Sequence, residues 1–287
     1  MAVVAVVGSR ASETNSDLAA AWRGLGADAA ALTPLHALAL LRKGDVALGR
    51  IDVRRTLDGV EPGFLALLGL ARRGVRVLNA PSALLHAHDK LRTARVLAAT
   101  GIPHPATEHV TLLRPRPSLR PPVVVKPRFG SWGADVLRCD SDRELGETIL
   151  DLTGKRWFRR QGALVQALVP PVGNDLRVLV AGGRVVGAES RVAAPAEWRT
   201  NISLGGTYQS AVLSPRARAL AVAAARALGG DLVGIDLLPS GSDYVVLEVN
   251  GSVDFHDNYS LPGTDVFAEI ARALRLPVSR PALAVAG

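Results

Sequence analysis

The sequence predicts an α/β protein, with a parallel sheet near the N-terminus and antiparallel hairpins in the rest of the chain. Residues 2–7 (AVVAVV) are a continuous apolar run, which is typical of a strand buried in a parallel sheet. Later apolar runs come in pairs separated by short turns, as the strands of antiparallel hairpins do. Of the 287 residues, 48% are hydrophobic, which is enough for a substantial core.

The N-terminal part of the chain predicts a small α/β domain. Its predicted strands cover residues 2–7, 45–49 and 75–79, and its predicted helices cover residues 16–25 and 63–73. Asn15, Ser16 and Asp17 offer side-chain oxygens that cap the first helix. The spacing G-x-G-x-x-G is absent after Gly8, so the sequence disfavours an NAD-dependent oxidoreductase, the first alternative class.

The central part of the chain contains a lysine followed by a glycine-containing loop. Its predicted elements are a helix (83–99), a break with two prolines (100–105) and two strands (123–127 and 136–139). Lys126 lies at the end of the first strand, and Gly130 and Gly133 lie in the loop between the strands. Glycines allow backbone N–H groups to approach an anion such as phosphate. A simple hairpin turn, which has the same composition, is the alternative.

The next part of the chain predicts a helix, a strand, a hairpin, a polar loop and an alanine-rich helix. They cover, in this order, residues 142–151, 163–168, 174–191, 198–206 and 215–228. The hairpin has alternating apolar and polar residues around a glycine turn, the pattern of two half-buried antiparallel strands.

Two acids interrupt apolar strand runs near the C-terminus, where a buried charge needs a partner. Glu248 lies within residues 245–250, and Asp236 lies within residues 233–238. Because side chains alternate along a strand, Glu248 and Asn250 point to the same face, about 7 Å apart. A hairpin can bring Asp236 beside Glu248, although sequence alone does not fix the register, and Mg²⁺ accepts such a set of oxygen ligands. The alternative is a pair of exposed acids on a solvated sheet face.

The net charge of +8 suggests a nucleic-acid partner, a second alternative class. However, the basic residues are spread along the chain, with RWFRR at 156–160 as the densest group, and only 4% of residues are aromatic. We therefore expect no nucleic-acid partner. A basic surface also attracts anionic nucleotides and acidic substrates.

Cysteine content and hydropathy exclude further classes. Cys139 is the only cysteine, so the chain has no intramolecular disulfide and no thiolate zinc cluster, and the six histidines lack metal-ligand spacing. No apolar run approaches the roughly 20 residues that span a bilayer. No basic segment precedes the first apolar stretch, as it would in a secretory signal. We expect a cytoplasmic protein that contacts no membrane.

Several motifs occur in the order that is found in ATP-grasp ligases. They include Asn79-Ala80-Pro81-Ser82, Asp89-Lys90-Leu91-Arg92-Thr93, and the turn Gly-Ile-Pro-x-Pro-x-Thr at residues 101–107. From Asn79 to Leu274 the chain most resembles the RimK/LysX type of this superfamily. The resemblance implies the ATP-grasp architecture, with ATP between the last two of three parts: an N-terminal α/β domain (1–82), a central lid subdomain (83–165) and a C-terminal antiparallel α+β subdomain (166–287).

The resemblance also implies which residues bind the nucleotide and Mg²⁺, with Mn²⁺ as the alternative metal. The residues implied for ATP are Lys90, Lys126, Gly130, Ser131, Trp132, Gly133, Gln166, Ala167, Leu168, Asp175, Arg199 and Asn201. Asp236, Glu248 and Asn250 match the metal positions, and Lys126, Arg177 and Arg199 match the catalytic positions. The adenine hinge departs from the pattern Gln-Glu-aromatic-aliphatic, because Ala167 and Leu168 follow Gln166. This departure leaves the nucleotide preference open.

The implied reaction is an amide-forming ligation. ATP phosphorylates a carboxylate, an amine attacks the acyl phosphate, and ADP and phosphate leave. The expected substrates are small, with an amino acid or a peptide-like acid first, and an acidic carrier protein and a homo-oligomer are further possibilities. The candidates for substrate recognition are Arg10, Arg50, Asp52, Arg191 and His256. The alternatives are an enzyme that closes a ring or joins metabolite fragments, and an ATP-binding protein without turnover.

Overall fold

The computed structural model describes residues 2–9 and 12–279. Arg10, a candidate for substrate recognition, lies outside the described residues. The described part of the chain contains one parallel sheet and two antiparallel sheets. This arrangement confirms the predicted α/β class with a parallel sheet at the N-terminal end.

The first sheet is parallel, and its strand order is β2-β1-β3-β4. Its elements are β1 (Val3–Val7), α1 (Glu13–Gly24), β2 (Asp28–Leu32), α2 (Pro34–Leu40), β3 (Val46–Gly49), α3 (Phe64–Arg72) and β4 (Arg76–Leu78). Both faces of the sheet are buried, because successive side chains of β1 enter different apolar clusters. Val4 and Val6 pack into one cluster, and Ala5 and Val7 pack into the other.

The sequence pattern missed β2 and α2 in this sheet, and it placed the start of α1 three residues too late. Ser12 caps α1, and its Oγ accepts a hydrogen bond from the backbone N–H of Asn15 at 3.4 Å. Strand β2 contains three alanines, which have low strand propensity. It forms because all five of its residues pair with β1.

The predicted helix over residues 83–99 is wrong in one respect, because it consists of two helices. They are α4 (Pro81–His88) and α5 (Lys90–Ala99). The break lies at Asp89, whose backbone is extended and whose carboxylate accepts the N–H groups of Leu91 at 3.2 Å and Arg92 at 3.4 Å. An aspartate that satisfies such free N–H groups starts a new helix. Lys90 is therefore the first residue of α5.

The second sheet is antiparallel, and its strand order is β5-β8-β6-β7. Its elements are β5 (Thr107–Val110), β6 (Val123–Pro127), β7 (Leu137–Cys139), α6 (Asp142–Leu152), α7 (Arg156–Gln161) and β8 (Ala163–Ala167). Its apolar core includes Cys139, which is fully buried. The boundary that we predicted after residue 165 falls inside β8, and Gln166 and Ala167 still pair with β6. We therefore propose to place this boundary after Ala167.

The third sheet is antiparallel, and its strand order is β11-β10-β9-β12-β13. Its elements are β9 (Asn174–Ala181), β10 (Arg184–Val192), β11 (Thr207–Ser210), α8 (Pro215–Leu228), β12 (Leu232–Ser240), β13 (Asp243–Asn250) and α9 (Val266–Ala273). The predicted hairpin of β12 and β13 is confirmed, and Asp236 lies directly opposite Glu248. Helix α8 buries its alanine face, including Ala217, Ala221 and Ala224, on this sheet.

The first and third sheets share one apolar core. Trp22 of α1 and Val4 of β1 belong to the same cluster as Leu179 of β9 and Ile270 of α9. The fully buried indole of Trp22 also donates its Nε1–H to the carbonyl of Phe267 at 3.1 Å. The second sheet has a separate core, so the molecule consists of a two-sheet body and a smaller unit.

A loop of the N-terminal part, residues 53–60, connects this body to the second sheet, and we call it the docking loop. Leu57 packs against the core of the second sheet. The Asp58 carboxylate accepts a hydrogen bond from Arg160 of α7 at 2.5 Å, and the Asp58 carbonyl accepts one from Gln161 at 3.1 Å. The second sheet is therefore held from the N-terminal side as well as through the chain.

None of the helices within residues 2–9 and 12–279 combines the length and the apolar character that crossing a bilayer requires.

Candidate active site

A cleft between the second and third sheets brings together most of the residues that the sequence predicted for ATP. From the second sheet and its loop it is lined by Lys126, Gly130, Ser131, Trp132, Gly133, Gln166, Ala167 and Leu168. From α5 and the third sheet and its loops it is lined by Lys90, Asp175, Arg191, Arg199, Asn201, Asp236 and Glu248. Arg177 and Asn250 contact lining residues without lining the cleft themselves.

Four charged residues lie in one row across the third sheet. Glu189 of β10 is opposite Arg177 of β9, Arg177 is opposite Asp236 of β12, and Asp236 is opposite Glu248 of β13. Directly opposite residues share a face of a sheet, so the row places one arginine and three acidic side chains next to one another on the same face. We call it the charged row.

Asp236 lies between two arginines. Arg177 donates to both of its carboxylate oxygens at 2.7 Å, and Arg191 Nη2 donates to Oδ2 at 2.9 Å. Burial opposes ionisation of Asp236, but the two guanidinium groups outweigh it and hold the pKa of this carboxyl well below its usual range. Asp236 is therefore ionised, as a metal ligand must be.

Asp175 is the second acid that Arg191 binds, through hydrogen bonds of 2.8 and 2.5 Å. Its Oδ2 also accepts the hydroxyl of Thr200 at 2.7 Å. Burial raises the pKa of Asp175 above its ordinary value despite the neighbouring Arg191. We considered Arg191 for substrate recognition, but the structure places it in this ion network at the predicted ribose acid.

Glu248 and Asn250 lie on one face of β13, as the strand pattern predicted. The Lys90 ammonium group is 2.7 Å from Glu248 Oε2, and Asn250 Nδ2 donates to Glu248 Oε1 at 3.3 Å. Burial opposes the charge of Glu248, but Lys90 lowers its pKa. Asn250 directs its amide nitrogen at Glu248, so its carbonyl oxygen is the atom available to a metal.

The donor set fits Mg²⁺. Asp236 and Glu248 are opposite each other and supply carboxylate oxygens, and Asn250 supplies an amide oxygen, the ligand types that this ion prefers. Within the described part of the chain, no three histidine, cysteine or acidic side chains form a metal cluster. The predicted set therefore depends on two acids and one amide.

Lys126 lies at the bottom of the cleft. Its Nζ donates to Gln166 Oε1 at 2.8 Å, and Gln166 Nε2 donates to Thr107 Oγ1 at 2.8 Å. Burial lowers the pKa of Lys126 to about 8, although Glu248 acts in the opposite direction. Gln166 is thus fixed at both ends of its amide, and it holds the lysine that the sequence predicted for the phosphates.

The glycine-containing loop is closed against residues 197–204. Ser203 Oγ donates to the Trp132 carbonyl at 3.1 Å, and Arg199 Nη1 donates to the Gly133 carbonyl at 3.3 Å. Gly133 has φ +72°, and a Cβ atom there would lie 3.1 Å from Asn201 Oδ1. Glycine adopts this backbone conformation without strain, and it leaves the close approach of Asn201 unobstructed. Trp132 covers the cleft with a side chain that is 53% exposed.

Arg199 has a partner that the sequence did not suggest. Its guanidinium group donates to both carboxylate oxygens of Glu197, at 3.0 and 2.8 Å. Arg199 lowers the pKa of Glu197 to about 2. In this structure Arg199 therefore pairs with Glu197 and holds the glycine loop in place, and it also lines the cleft in which the sequence predicted its contact with phosphates.

The backbone N–H groups of the predicted adenine hinge form hydrogen bonds within the protein. The N–H of Ala167 donates to the Ala106 carbonyl at 2.9 Å, and the N–H of Leu168 donates to the Pro122 carbonyl at 3.1 Å. The nearby lining is mainly apolar and includes Val124, Val169, Leu238 and Leu247. Such a slot suits a flat base.

The remaining candidates for substrate recognition lie on the side of the N-terminal domain. Arg50 is buried and donates to Asn15 Oδ1 at 2.5 Å and to Asp254 Oδ1 at 3.2 Å, and burial lowers its pKa to about 10. Asp52 Oδ1 accepts the N–H of Val53 at 2.6 Å. His256 is partly exposed and lies 3.8 Å from Asp17. These residues do not line the nucleotide cleft.

Sequence reasoning missed Glu189, the first residue of the charged row. Asn258 Nδ2 donates to its Oε1 at 2.6 Å, and burial raises the pKa of Glu189 to about 7. The available signal was its position two residues before Arg191 in an alternating strand, which places both residues on one face.

Comparisons with known proteins agree with this geometry. The profile of the RimK-like ATP-grasp domain matches residues 87–274. A probable alpha-L-glutamate ligase of Aeromonas salmonicida is 34% identical over 246 residues, which cover 84% of this chain and 80% of that protein. A tetrahydromethanopterin:alpha-L-glutamate ligase of Methanosarcina acetivorans is 30% identical over 249 residues, which cover 74% of this chain and 76% of that protein.

Two solved structures share the fold. A RimK domain ATP-grasp protein of Sphaerobacter thermophilus has a TM-score of 0.67 at 23% identity, with 96% of this chain and 100% of that chain covered. The D-alanine–D-alanine ligase of Bacillus anthracis complexed with ATP has a TM-score of 0.70 at 16% identity, with 96% and 94% covered. At these identities the similarity shows the fold alone.

The fold and the cleft define an ATP-grasp enzyme, in the class of ADP-forming carbon–nitrogen ligases. Within that class, the chain belongs to the RimK-like ATP-grasp family. The predicted family and the predicted ATP-grasp fold are thereby confirmed.

Proposed function

We propose that the protein uses ATP and Mg²⁺ to join a carboxylate to the amine of an amino acid or of a small peptide-like substrate. The observation that carries this proposal is the convergence of Lys90, Lys126, Asp236 and Glu248 in one cleft that the glycine loop covers. Two cations for phosphates and two carboxylates for a metal are the groups that phosphoryl transfer to a carboxylate needs.

The residues of the chain have separate roles in this proposal. Lys126 and Lys90 bind the phosphates, and Gln166, Ala167 and Leu168 bind the base. Asp175 binds the ribose. Bound Mg²⁺, held by Asp236, Glu248 and Asn250, would neutralise charge that develops between the phosphates. Arg177 holds Asp236 in place, and Arg199, which lines the cleft, supplies positive charge near the transferred phosphoryl group.

The closed glycine loop protects the intermediate. An acyl phosphate is hydrolysed by water, so the carboxylate must be activated in a space that excludes it. Gly130, Ser131, Trp132 and Gly133 form the cover, and Ser203 and Arg199 anchor it from the third sheet. The amine then attacks the acyl carbon, the amide bond forms, and phosphate leaves.

The names of the relatives and the charge of the chain support the proposed substrate class. The two relatives described above are named as glutamate ligases, so glutamate is the first amine to test. The net charge of +8 favours acidic substrates, and an acidic carrier protein is a second form in which the carboxylate could arrive.

The decisive experiment measures ADP release with Mg²⁺ and a panel of amino acids and carboxylic acids, followed by the mass of the product. We expect turnover that depends on a divalent metal and that falls at least 100-fold in Glu248→Gln. Arg138→Gln, which changes an exposed arginine of β7, serves as the control. Turnover without divalent metal, or full activity of Glu248→Gln, would refute the proposal.

A further inference from the structure

Asp89 and Arg128 form a junction directly beside the two lysines predicted for the phosphates. Asp89 immediately precedes Lys90, and Arg128 lies two residues after Lys126. Arg128 Nε donates to Asp89 Oδ1 at 2.7 Å, and Arg128 Nη2 donates to Oδ2 at 2.5 Å. The backbone N–H of Lys90 also donates to the carbonyl of Arg128 at 3.1 Å. Three hydrogen bonds thus join the two short segments.

The junction connects two separately packed parts of the molecule. Helix α5, which begins at Lys90, packs through Leu97 into the apolar cluster of α8 and the third sheet. Strand β6, which carries Lys126, packs through Val123 and Val125 into the core of the second sheet. Lys90 and Lys126 therefore belong to different bodies, and their separation depends on how these bodies are joined.

The form of the contact suits such a joint. A planar guanidinium group that binds both oxygens of one carboxylate fixes direction as well as distance. The Asp89 side chain is 1% exposed, and its Oδ1 also caps α5. Its hydrogen bonds to Arg128 raise the pKa of the arginine. The carboxylate thereby fixes the start of α5 and the end of β6 at the same point.

We propose that Arg128 is a positioning residue for the nucleotide. By binding Asp89 it sets the distance between the ammonium groups of Lys90 and Lys126, so that both reach the phosphates of one bound nucleotide. The inference rests on the proposed function, because it requires that the cleft binds a nucleoside phosphate. Arg128 itself contacts Asp89 and the ring of Phe129, and its role is carried out through the two lysines.

The test compares the binding of ADP and of adenosine to the full chain, using calorimetry for ADP and ligand-observed NMR for adenosine. The variants are Arg128→Met, which retains the side-chain length without charge, and Arg128→Lys, which retains the charge without the fork. Arg138→Met is the matched control, because Arg138 is in the same sheet and binds Asp140 on the surface at 2.8 Å. Circular dichroism confirms that each variant is folded.

We expect Arg128→Met to weaken ADP binding at least tenfold and to leave adenosine binding within twofold, because adenosine has no phosphates to position. Arg128→Lys should bind ADP more tightly than Arg128→Met and less tightly than the wild type. If Arg128→Met does not fold, Arg128→Lys is the variant compared with the wild type. Arg138→Met should bind both ligands as the wild type does.

Two results would overturn the inference: ADP affinity within twofold of the wild type, or an equal loss for ADP and adenosine, which would indicate general damage to the cleft. A wild-type protein that binds neither ligand would instead refute the proposed function, and the inference would fall with it.

Discussion

Lys126 is a residue of the cleft whose protonation depends on its surroundings. An ordinary lysine keeps its proton far above neutral pH, whereas burial lowers the pKa of Lys126 to about 8. Its ammonium group has the Gln166 amide oxygen as a neutral acceptor at 2.8 Å. The free cleft therefore loses one positive charge at a moderately alkaline pH.

This shift predicts a pH dependence of nucleotide binding. The charged form binds phosphate, and it predominates below the pKa of Lys126, so ADP affinity in the absence of metal should fall as pH rises through about 8. We expect a loss of roughly fivefold to tenfold between neutral pH and a pH one unit above this pKa, where about a tenth of the lysine retains its proton. Titration calorimetry at several pH values measures it.

The control for this prediction is Lys126→Arg, because arginine retains its proton throughout this range. Its ADP affinity should be nearly constant over the same pH range. An equally steep loss in Lys126→Arg would assign the titration to another group.

Gly133 gives a second prediction at the residue scale. Gly133→Ala places a Cβ 3.1 Å from Asn201 Oδ1 at a backbone φ of +72°, so the substitution strains the backbone and displaces the loop or the Asn201 side chain that faces it. We expect kcat to fall about tenfold or more through lost closure, with little change in thermal stability, because the loop is at the surface. Gly146→Ala, on α6 with open space around it, is the control, and an active Gly133→Ala enzyme would argue against closure.

The sequence identified the site residues where a charge interrupted an apolar strand. Asp236 and Glu248 were visible for this reason, and the turn between their strands predicted a hairpin. The register that places them opposite each other comes from the structure, because sequence alone does not fix it. Glu189 and Glu197 were not identified, because an acid in a mixed polar segment has no such contrast. The partners of Arg191 lie on neighbouring strands that are distant in the chain, and the pairing of Arg199 with Glu197 depends on the conformation of a short loop. Periodicity reveals neither contact.

At the scale of elements, the docking loop explains how the second sheet is held near the body. The side chain of Asp58 is 3% exposed and accepts Arg160 and the hydroxyl of Thr56. Leu57 adds an apolar contact to the core of the second sheet. Because Arg160 is half exposed, solvent reduces the strength of the ion pair.

Asp58→Asn should therefore loosen α7 without unfolding the protein. We expect a loss of about 1 kcal/mol in local stability, because a partly exposed charged hydrogen bond is replaced by a weaker one. Hydrogen exchange should accelerate in residues 53–60 and in α7. Arg120→Gln, at the exposed pair with Asp142, should leave that exchange unchanged, and unchanged exchange in Asp58→Asn would contradict the role of the docking loop.

Helices and strands whose own residues mark their ends were predictable from sequence. Those that depend on contacts with neighbouring elements were not. Helix α8 has the predicted bounds, because proline and serine mark its start and glycine marks its end. The separation of α4 from α5 required Asp89 to act as a cap rather than as a helix residue. Strand β11 is exposed along its length and forms by pairing with β10. Because neither of its faces is buried, its sequence has no apolar alternation from which the strand could be predicted.

At the scale of the molecule, the shared core of the first and third sheets predicts that these sheets unfold together. Trp22→Ala removes a fully buried indole and its hydrogen bond to Phe267, and we expect a loss of about 3–5 kcal/mol. Urea unfolding followed by hydrogen exchange should show that both sheets lose protection at once, whereas the second sheet is less affected. Protection lost from the first sheet alone would contradict a common core.

The single cysteine of the chain makes the molecule convenient for spectroscopy. Cys139, the last residue of β7, is fully buried and contacts Thr148 of α6. Burial raises the pKa of its thiol, so the native protein should react slowly with maleimide reagents. A fluorophore attached to a cysteine introduced at the exposed Leu150 of α6, paired with a second one on α2 at Leu35, would then report by energy transfer whether the distance between the first and second sheets changes when ADP is added.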